Sequence, residues 1–154
     1  TDWAAIIRHA KVMLCLGGLP LRNGLVTSGG AGEHANEIHL CRAAEAGLRF
    51  VQVSPNRADV PDWCHAEWIP IRPGTDTALL LAMAHVIVTE GKEDRAFLAS
   101  HCVGWDRLRA YILGESDGAP KTPAWATPIT TIPAERIRAL ARELAAVPAM
   151  LTAT

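Results

Sequence analysis

The sequence predicts an α/β fold, a parallel sheet flanked by helices, on three observations. Two short runs, at residues 11–16 and 48–53, have the length of strands, the first with the apolar composition of one buried on both faces. A helical pattern at 33–46 lies between them, the spacing of a strand–helix–strand unit. Each run is followed by a loop of Gly, Pro and small polar residues, and in parallel sheets such loops carry ligand sites at the carboxyl ends of the strands.

The remaining elements follow in chain order. Trp3, Ile6, Ile7 and Ala10 recur at three- and four-residue steps, the stripe of a short helix. The first strand, Lys11-Val-Met-Leu-Cys-Leu16, ends at Gly17 and Gly18. Residues 17–32 form a long Gly-rich loop, and loops beyond about 12–15 residues are usually functional or disordered. The helix at 33–46 places Ile38, Cys41, Ala44 and Ala46 inward and stops at Gly47. After the second strand, residues 54–59 are rich in turn formers. Glu67-Trp-Ile-Pro-Ile71 is a third extended piece, and Pro70 puts it at a sheet edge or strand end. Residues 72–76 lead into a helix at 77–89 that is apolar nearly all round and needs cover on both sides. Helices at 93–102 and 104–113, a surface loop at 114–120 and a short helical turn at 123–129 come next. A helix at 133–146 has Pro133 in its first turn and Ile137, Leu140 and Leu144 on one face. Residues 149–153 read as a last strand.

Composition narrows the function. The 154 residues make one domain, and 15 Lys+Arg against 16 Asp+Glu leave a net charge of -1, which argues against nucleic acid as a partner. The longest uncharged apolar run is residues 77–89, short of the roughly 20 residues that cross a bilayer, so no membrane span is expected. Cys15, Cys41, Cys64 and Cys102 lie far apart without a C-x-x-C pair, which argues against zinc and for buried free thiols in a reducing, cytoplasmic compartment. The chain opens on Thr1-Asp2-Trp3 and stops on an apolar stretch, so a piece of a longer chain is expected.

No motif assigns a reaction. A G-x-x-x-x-G-K-[ST] loop is absent. Gly30-x-Gly32-x-x-Ala35 opens a helix, but a dinucleotide fingerprint begins at the strand end, and Ser54 and Pro55 stand where its acidic residue belongs. Ser28, His34 and Asp59 could be written as a triad, with nothing to fix their geometry. His85, in an apolar helix, reads as a satisfied core group. His34, after the Gly-rich loop, is the histidine carried as a ligand contact. The loops 17–32, 54–59 and 72–76 together point to a nucleotide-type ligand. An NAD(P)-binding dehydrogenase domain, with Arg57 meeting a 2′-phosphate, and a non-catalytic α/β interaction domain are the competing classes.

At these loops the sequence resembles the third domain of the bis-molybdopterin-guanine-dinucleotide oxidoreductases, in the dimethyl sulfoxide, trimethylamine N-oxide and biotin sulfoxide reductase branch. The segments that carry the resemblance begin with Gly17-Gly-Leu-Pro-Leu-Arg-Asn23, Thr27-Ser-Gly-Gly-Ala-Gly-Glu-His34 and Val53-Ser-Pro-Asn-Arg57. Trp68-Ile-Pro-Ile-Arg-Pro-Gly-Thr-Asp76, Tyr111-Ile-Leu-Gly-Glu-Ser-Asp-Gly118 and Thr122-Pro-Ala-Trp-Ala126 continue it, over essentially the whole chain. The resemblance implies a parallel Rossmann-like sheet flanked by helices, of the type of domains 1–3 of formate dehydrogenase and dimethyl sulfoxide reductase. It implies that residues 1–154 are one molybdopterin-guanine-dinucleotide-binding α/β domain of a larger enzyme.

On that resemblance the first cofactor loop contains Leu16, Gly17, Gly18, Pro20 and Asn23, with His34 after it. The second contains Ser54, Pro55, Asn56 and Arg57, and the third Gly74, Thr75 and Asp76. Many relatives have Asn where Leu19 stands, so that side chain's hydrogen bond does not carry over. The family's molybdenum ligand, a serine in this branch, belongs to an earlier part of the chain, so no catalytic or metal-binding residue is assigned and the segment alone is expected to be catalytically silent. In the intact enzyme the resemblance implies bis-molybdopterin guanine dinucleotide with molybdenum, the remaining domains as partners, and a small S- or N-oxide as substrate. Some relatives are exported folded, so a periplasmic location is the alternative to the cytoplasm.

Overall fold

The computed structural model describes residues 2–19, 21 and 35–153. They divide into two compact units, residues 1–70 with 147–154, and residues 71–146. The second unit is an insertion in sequence between the third and fourth strands of the first.

The first unit contains α1 (Trp3–His9), β1 (Val12–Leu16), α2 (Asn36–Glu45), β2 (Arg49–Val53), β3 (Glu67–Ile69) and β4 (Ala149–Ala153). The strands form one sheet in the order β3-β2-β1-β4, and every pair is parallel. Val12 faces Arg49 and Ala149 in register, and Leu16 faces Val53 and Ala153. All five residues of the central β1 are buried, as its unbroken apolar run predicts. β3 is an edge strand that stops before Pro70, which has no N–H to offer a ladder.

Met13, Cys15 and Phe50 project from one face of this sheet into a core with Leu40 and Ala43 of α2, Leu48, Val60 and Cys64; Trp3, Ile6 and Ile7 of α1 pack against it. The Trp3 ring stacks on His39 at 5.6 Å. The inner side of α2 departs from the periodicity reading. Leu40 and Ala43 are the buried positions, while Ile38 is 53% exposed and Ala46 is exposed. Five apolar residues between 38 and 44 offer two overlapping stripes, and packing into the core with Met13, Cys15 and Phe50 of the sheet selects the one through Leu40.

The second unit contains α3 (Asp76–Thr89), α4 (Arg95–His101), α5 (Trp105–Ile112), α6 (Pro123–Thr130) and α7 (Ala134–Ala146), so seven α-helices lie among the described residues. The apolar α3 buries Ala78, Leu79, Ala82, Met83, Val86 and Val88, packing against α5, α6 and α7. His85 is only half-buried, and its ring has no hydrogen-bond partner among the described residues, which corrects its reading as a satisfied core group. α6 is a full helix rather than a turn: Thr122 caps it by accepting from the Trp125 N–H at 3.1 Å, and Pro123 takes the first position.

The 113–126 stretch is built around one buried cation. Lys121 is 2% exposed, and its ammonium donates to Asp117 Oδ2 at 2.5 Å and to the Ala119 carbonyl. The Nζ lies 4.1 Å from the centre of the Tyr111 ring, on the side of the ring quadrupole that attracts a cation. Gly114, at φ +77°, brings the chain back against Pro120 so closely that a Cβ would collide with it.

Candidate functional site

The first two loops meet at the carboxyl end of the sheet. The Gly17 N–H extends the ladder to the Val53 carbonyl at 2.9 Å, and the Leu19 N–H donates to the Asp59 carbonyl at 2.6 Å. Gly17 and Gly18 have φ of +79° and +93°. A Cβ on Gly18 would strike the Asp59 carbonyl and fall 2.5 Å from the Asp59 Cβ, so the two loops pass backbone to backbone.

The second loop is held from within. Ser54 Oγ donates to Asp59 Oδ2 at 2.6 Å and accepts from the Asn56 N–H at 3.2 Å. Asn56 donates its amide to Asp59 Oδ1 at 3.2 Å and accepts from the Ala58 N–H at 3.1 Å, capping the short 3-10 turn Arg57–Asp59. Gln52, 1% exposed in β2, donates to the Asn56 carbonyl at 2.8 Å, and the Trp68 indole N–H donates to the Ser54 carbonyl at 2.9 Å. Asp59, Gln52 and Trp68 therefore fix the loop, and the sequence reading assigned none of them that role. The one legible signal was Gln52, a polar residue inside the apolar run Phe50–Val53, since a buried amide requires a partner.

What this loop leaves free is Arg57. Its guanidinium is exposed and has no partner among the described residues. It lies at the wall of a cleft of about 290 Å³ shared with Gln52, Asp62, His65 and Trp68. Ser54, whose hydroxyl is committed to Asp59, is fully buried, whereas Pro55 and Asn56 are exposed.

The third loop belongs to the second unit. Gly74 has φ +74° with open space where a Cβ would stand, and Thr75 donates its hydroxyl to the Arg72 carbonyl at 2.7 Å. Thr75 is the N-cap residue of α3 and Asp76 the first helical residue. The Asp76 carboxylate is half-buried and has no hydrogen bond or ion pair among the described residues, so it favours the helix dipole without capping a backbone N–H. Pro20, Asn23 and His34, together with Ser28 of the paper triad, lie outside the described residues. No group of three His, Cys, Asp or Glu side chains among the described residues could hold a metal ion, and the four thiols are free. Only Cys15 and Cys64 are buried; Cys41 is half-buried and Cys102 exposed, which corrects the expectation that all four are interior.

Comparison with known proteins decides the family. The sequence model described as molybdopterin oxidoreductase matches residues 5–150. The chain belongs to the molybdopterin oxidoreductase family. Biotin sulfoxide reductase of Cereibacter sphaeroides is 45% identical over 96% of this chain and 20% of its own length. Dimethyl sulfoxide/trimethylamine N-oxide reductase of the same organism is 35% identical over 99% of this chain and 18% of its own. Trimethylamine-N-oxide reductase of Haemophilus influenzae is 31% identical over 98% and 18%. The chain thus spans about a fifth of the length of these relatives. Family membership implies a molybdopterin cofactor, and the strand-end loops suit one: two glycines in the first that let backbone approach closely, and in the second a guanidinium without a partner among the described residues. No described helix is long and apolar enough to cross a membrane.

Proposed function

We propose that the chain is the segment of a molybdenum-dependent S- or N-oxide reductase that holds a guanine-dinucleotide arm of its molybdopterin cofactor, residues 1–154 serving as one binding domain of a longer polypeptide. The observation that carries this reading is the pairing of the Gly17–Gly18 turn with the braced 54–59 loop at the carboxyl end of a parallel sheet, with Arg57 left free. The Gly18 N–H, uncommitted among the described residues while its neighbours at 17 and 19 bond Val53 and Asp59, can approach a pyrophosphate, and Arg57 supplies a planar, permanently charged donor for its oxygens. Leu16, Pro20, Asn23 and His34 complete the first loop, and Pro55 and Asn56 flank Arg57 in the second.

In the third loop Gly74 and Thr75 set the turn that presents Asp76. Guanine offers two donors on one edge, its ring N–H and its amino group, and a free carboxylate accepts both. The cofactor, when bound, supplies the two-electron abstraction of oxygen from the oxide. This segment binds and orients; it is assigned no catalytic residue and is silent by itself.

Metal and nucleotide analysis of the intact protein tests the reading. Molybdenum accompanied by two equivalents of GMP after acid hydrolysis is expected. A metal-free protein that binds NADPH overturns it. Asp76→Asn tests the guanine contact, because Asn keeps one acceptor and turns a donor toward guanine's donors. Losing a hydrogen bond to a charged group costs about 1.5–3 kcal/mol, a roughly ten- to hundredfold weaker grip on that arm. Unchanged cofactor retention in Asp76→Asn removes the residue from the site.

A further inference from the structure

Glu93 sets a problem that the described chain does not solve. Its side chain is 6% exposed, Arg95 Nε reaches Oε1 at 3.3 Å, and the buried Oε2 has no hydrogen-bond partner among the described residues. A desolvated carboxylate oxygen without a donor is costly, so a native protein supplies one. Glu93 lines a cleft of about 780 Å³ between α4 and α5, whose other charged walls are Arg95, Asp106, Arg107 and Arg109. Arg107 has no ion-pair partner among the described residues, and with Gly104 it is shared with a second cleft that runs on to Tyr111 and Ser116.

Large apolar side chains stand around these clefts: Phe97 is 53% exposed, Leu108 46%, Tyr111 39%, and Val103 is fully exposed. Small-molecule pockets keep their apolar groups inside and their charges few. Here five charged side chains share one open cleft with Leu98, Ala99 and Trp105, and Leu108 and Tyr111 line the next. Aromatic residues and arginines around a few desolvated polar anchors are the composition of a protein–protein interface.

We propose that the α4–α5 face is a docking surface for another part of the same reductase, which presents an arginine or lysine to Glu93 Oε2, a carboxylate to Arg107, and apolar side chains to Phe97, Val103 and Leu108. The proposal rests on the reading that the chain is one domain of a longer polypeptide, and the relatives it matches are about five times its length. Charge complementarity fixes the chemistry: a cation is the strongest donor to a buried carboxylate, and a carboxylate pairs bidentately with a guanidinium.

Cys102 reports on the cover, because it lines the cleft and is exposed in this chain. The intact, cofactor-loaded protein is treated with a maleimide, and modification of Cys102 is followed by peptide mass spectrometry in native buffer and in urea. A docked segment protects the thiol, so native labelling is expected to be roughly a hundredfold slower than in urea. Phe97→Glu, which places a charge in the apolar seat, is expected to raise native Cys102 labelling about tenfold while Cys15 stays protected. Free labelling of Cys102 in the native protein overturns the proposal. Protection that disappears on dilution, with a halving of mass, assigns the surface to a second copy and also overturns it. Molybdenum is measured on the same sample: its absence defeats the proposed function, whereas a loaded protein with a reactive Cys102 defeats the docking surface alone.

Discussion

Gly18 shows how one missing side chain organises the candidate site. Its φ of +93° alone penalises any other residue, and the Asp59 backbone fills the space a Cβ would take. Gly91, at φ +63°, has nothing within 4 Å of that position. Gly91→Ala is therefore expected to cost about 1–2 kcal/mol, the conformational penalty alone. Gly18→Ala adds overpacking and is expected to cost about 2–4 kcal/mol. Urea unfolding of the two variants checks this, and equal costs would show that the Asp59 contact gives way freely. The sequence marks Gly18 as a turn residue, but its obligate partner lies in a different loop, and one-dimensional patterning carries no information about that approach. The same holds for Ser54: its position after a strand is legible, while the Asp59 carboxylate that occupies its hydroxyl is not.

At the scale of elements, two titrations report on the second unit. Burial pushes the His85 imidazole below its ordinary value of 6.5. The folded state resists protonating it, so stability falls as pH drops below that value. The Lys121 hydrogen bond, followed by the Ala119 N–H, holds Asp117 below its ordinary value of 3.8. That contribution is complete above 3.8 and lost as pH falls through the lower folded-state value. Acid unfolding followed by circular dichroism is therefore expected to show two components. His85→Gln removes the first, and Lys121→Met removes the second. At neutral pH Lys121→Met also forfeits the charged hydrogen bond to the half-buried Ala119 carbonyl, a loss of about 1.5–3 kcal/mol. A pH profile unaltered in both variants would rule these groups out as its source. The runs 113–118 and 122–126 were legible as a family signature; that they wrap a buried ammonium was not, because Lys is rarely interior unless paired.

For the molecule as a whole, the parallel sheet is the part that should open last. Cys15 in β1 and Cys64 beneath α2 are both pushed up to about 12, chiefly by burial. At pH 8 only about one such thiol in ten thousand is ionised, and each is also shielded from reagents. Their alkylation is expected to follow denaturant in step with loss of the circular dichroism signal, as for groups exposed only by global unfolding. Labelling of either in native buffer at the rate of a free thiol would place the core of the first unit among the easily opened regions.

The sequence by itself determined the alternation of strands and helices, the parallel pairing of β1 with β2, the choice of sheet edge or strand end for β3 and the return of the chain as β4. These follow from local properties: apolar run length, the three- to four-residue stripe, and the positions of Gly and Pro. It also marked the strand-end loops and the family, because both are written as contiguous residues. The tertiary structure alone decided which stripe of α2 faces inward, that Asp59 locks the second loop, that Arg57 is left free, and that Glu93 is buried with one oxygen unsatisfied. Each of those depends on groups distant in sequence meeting in space, where burial and hydrogen bonding are settled by the neighbours that arrive and not by the residue's own preference.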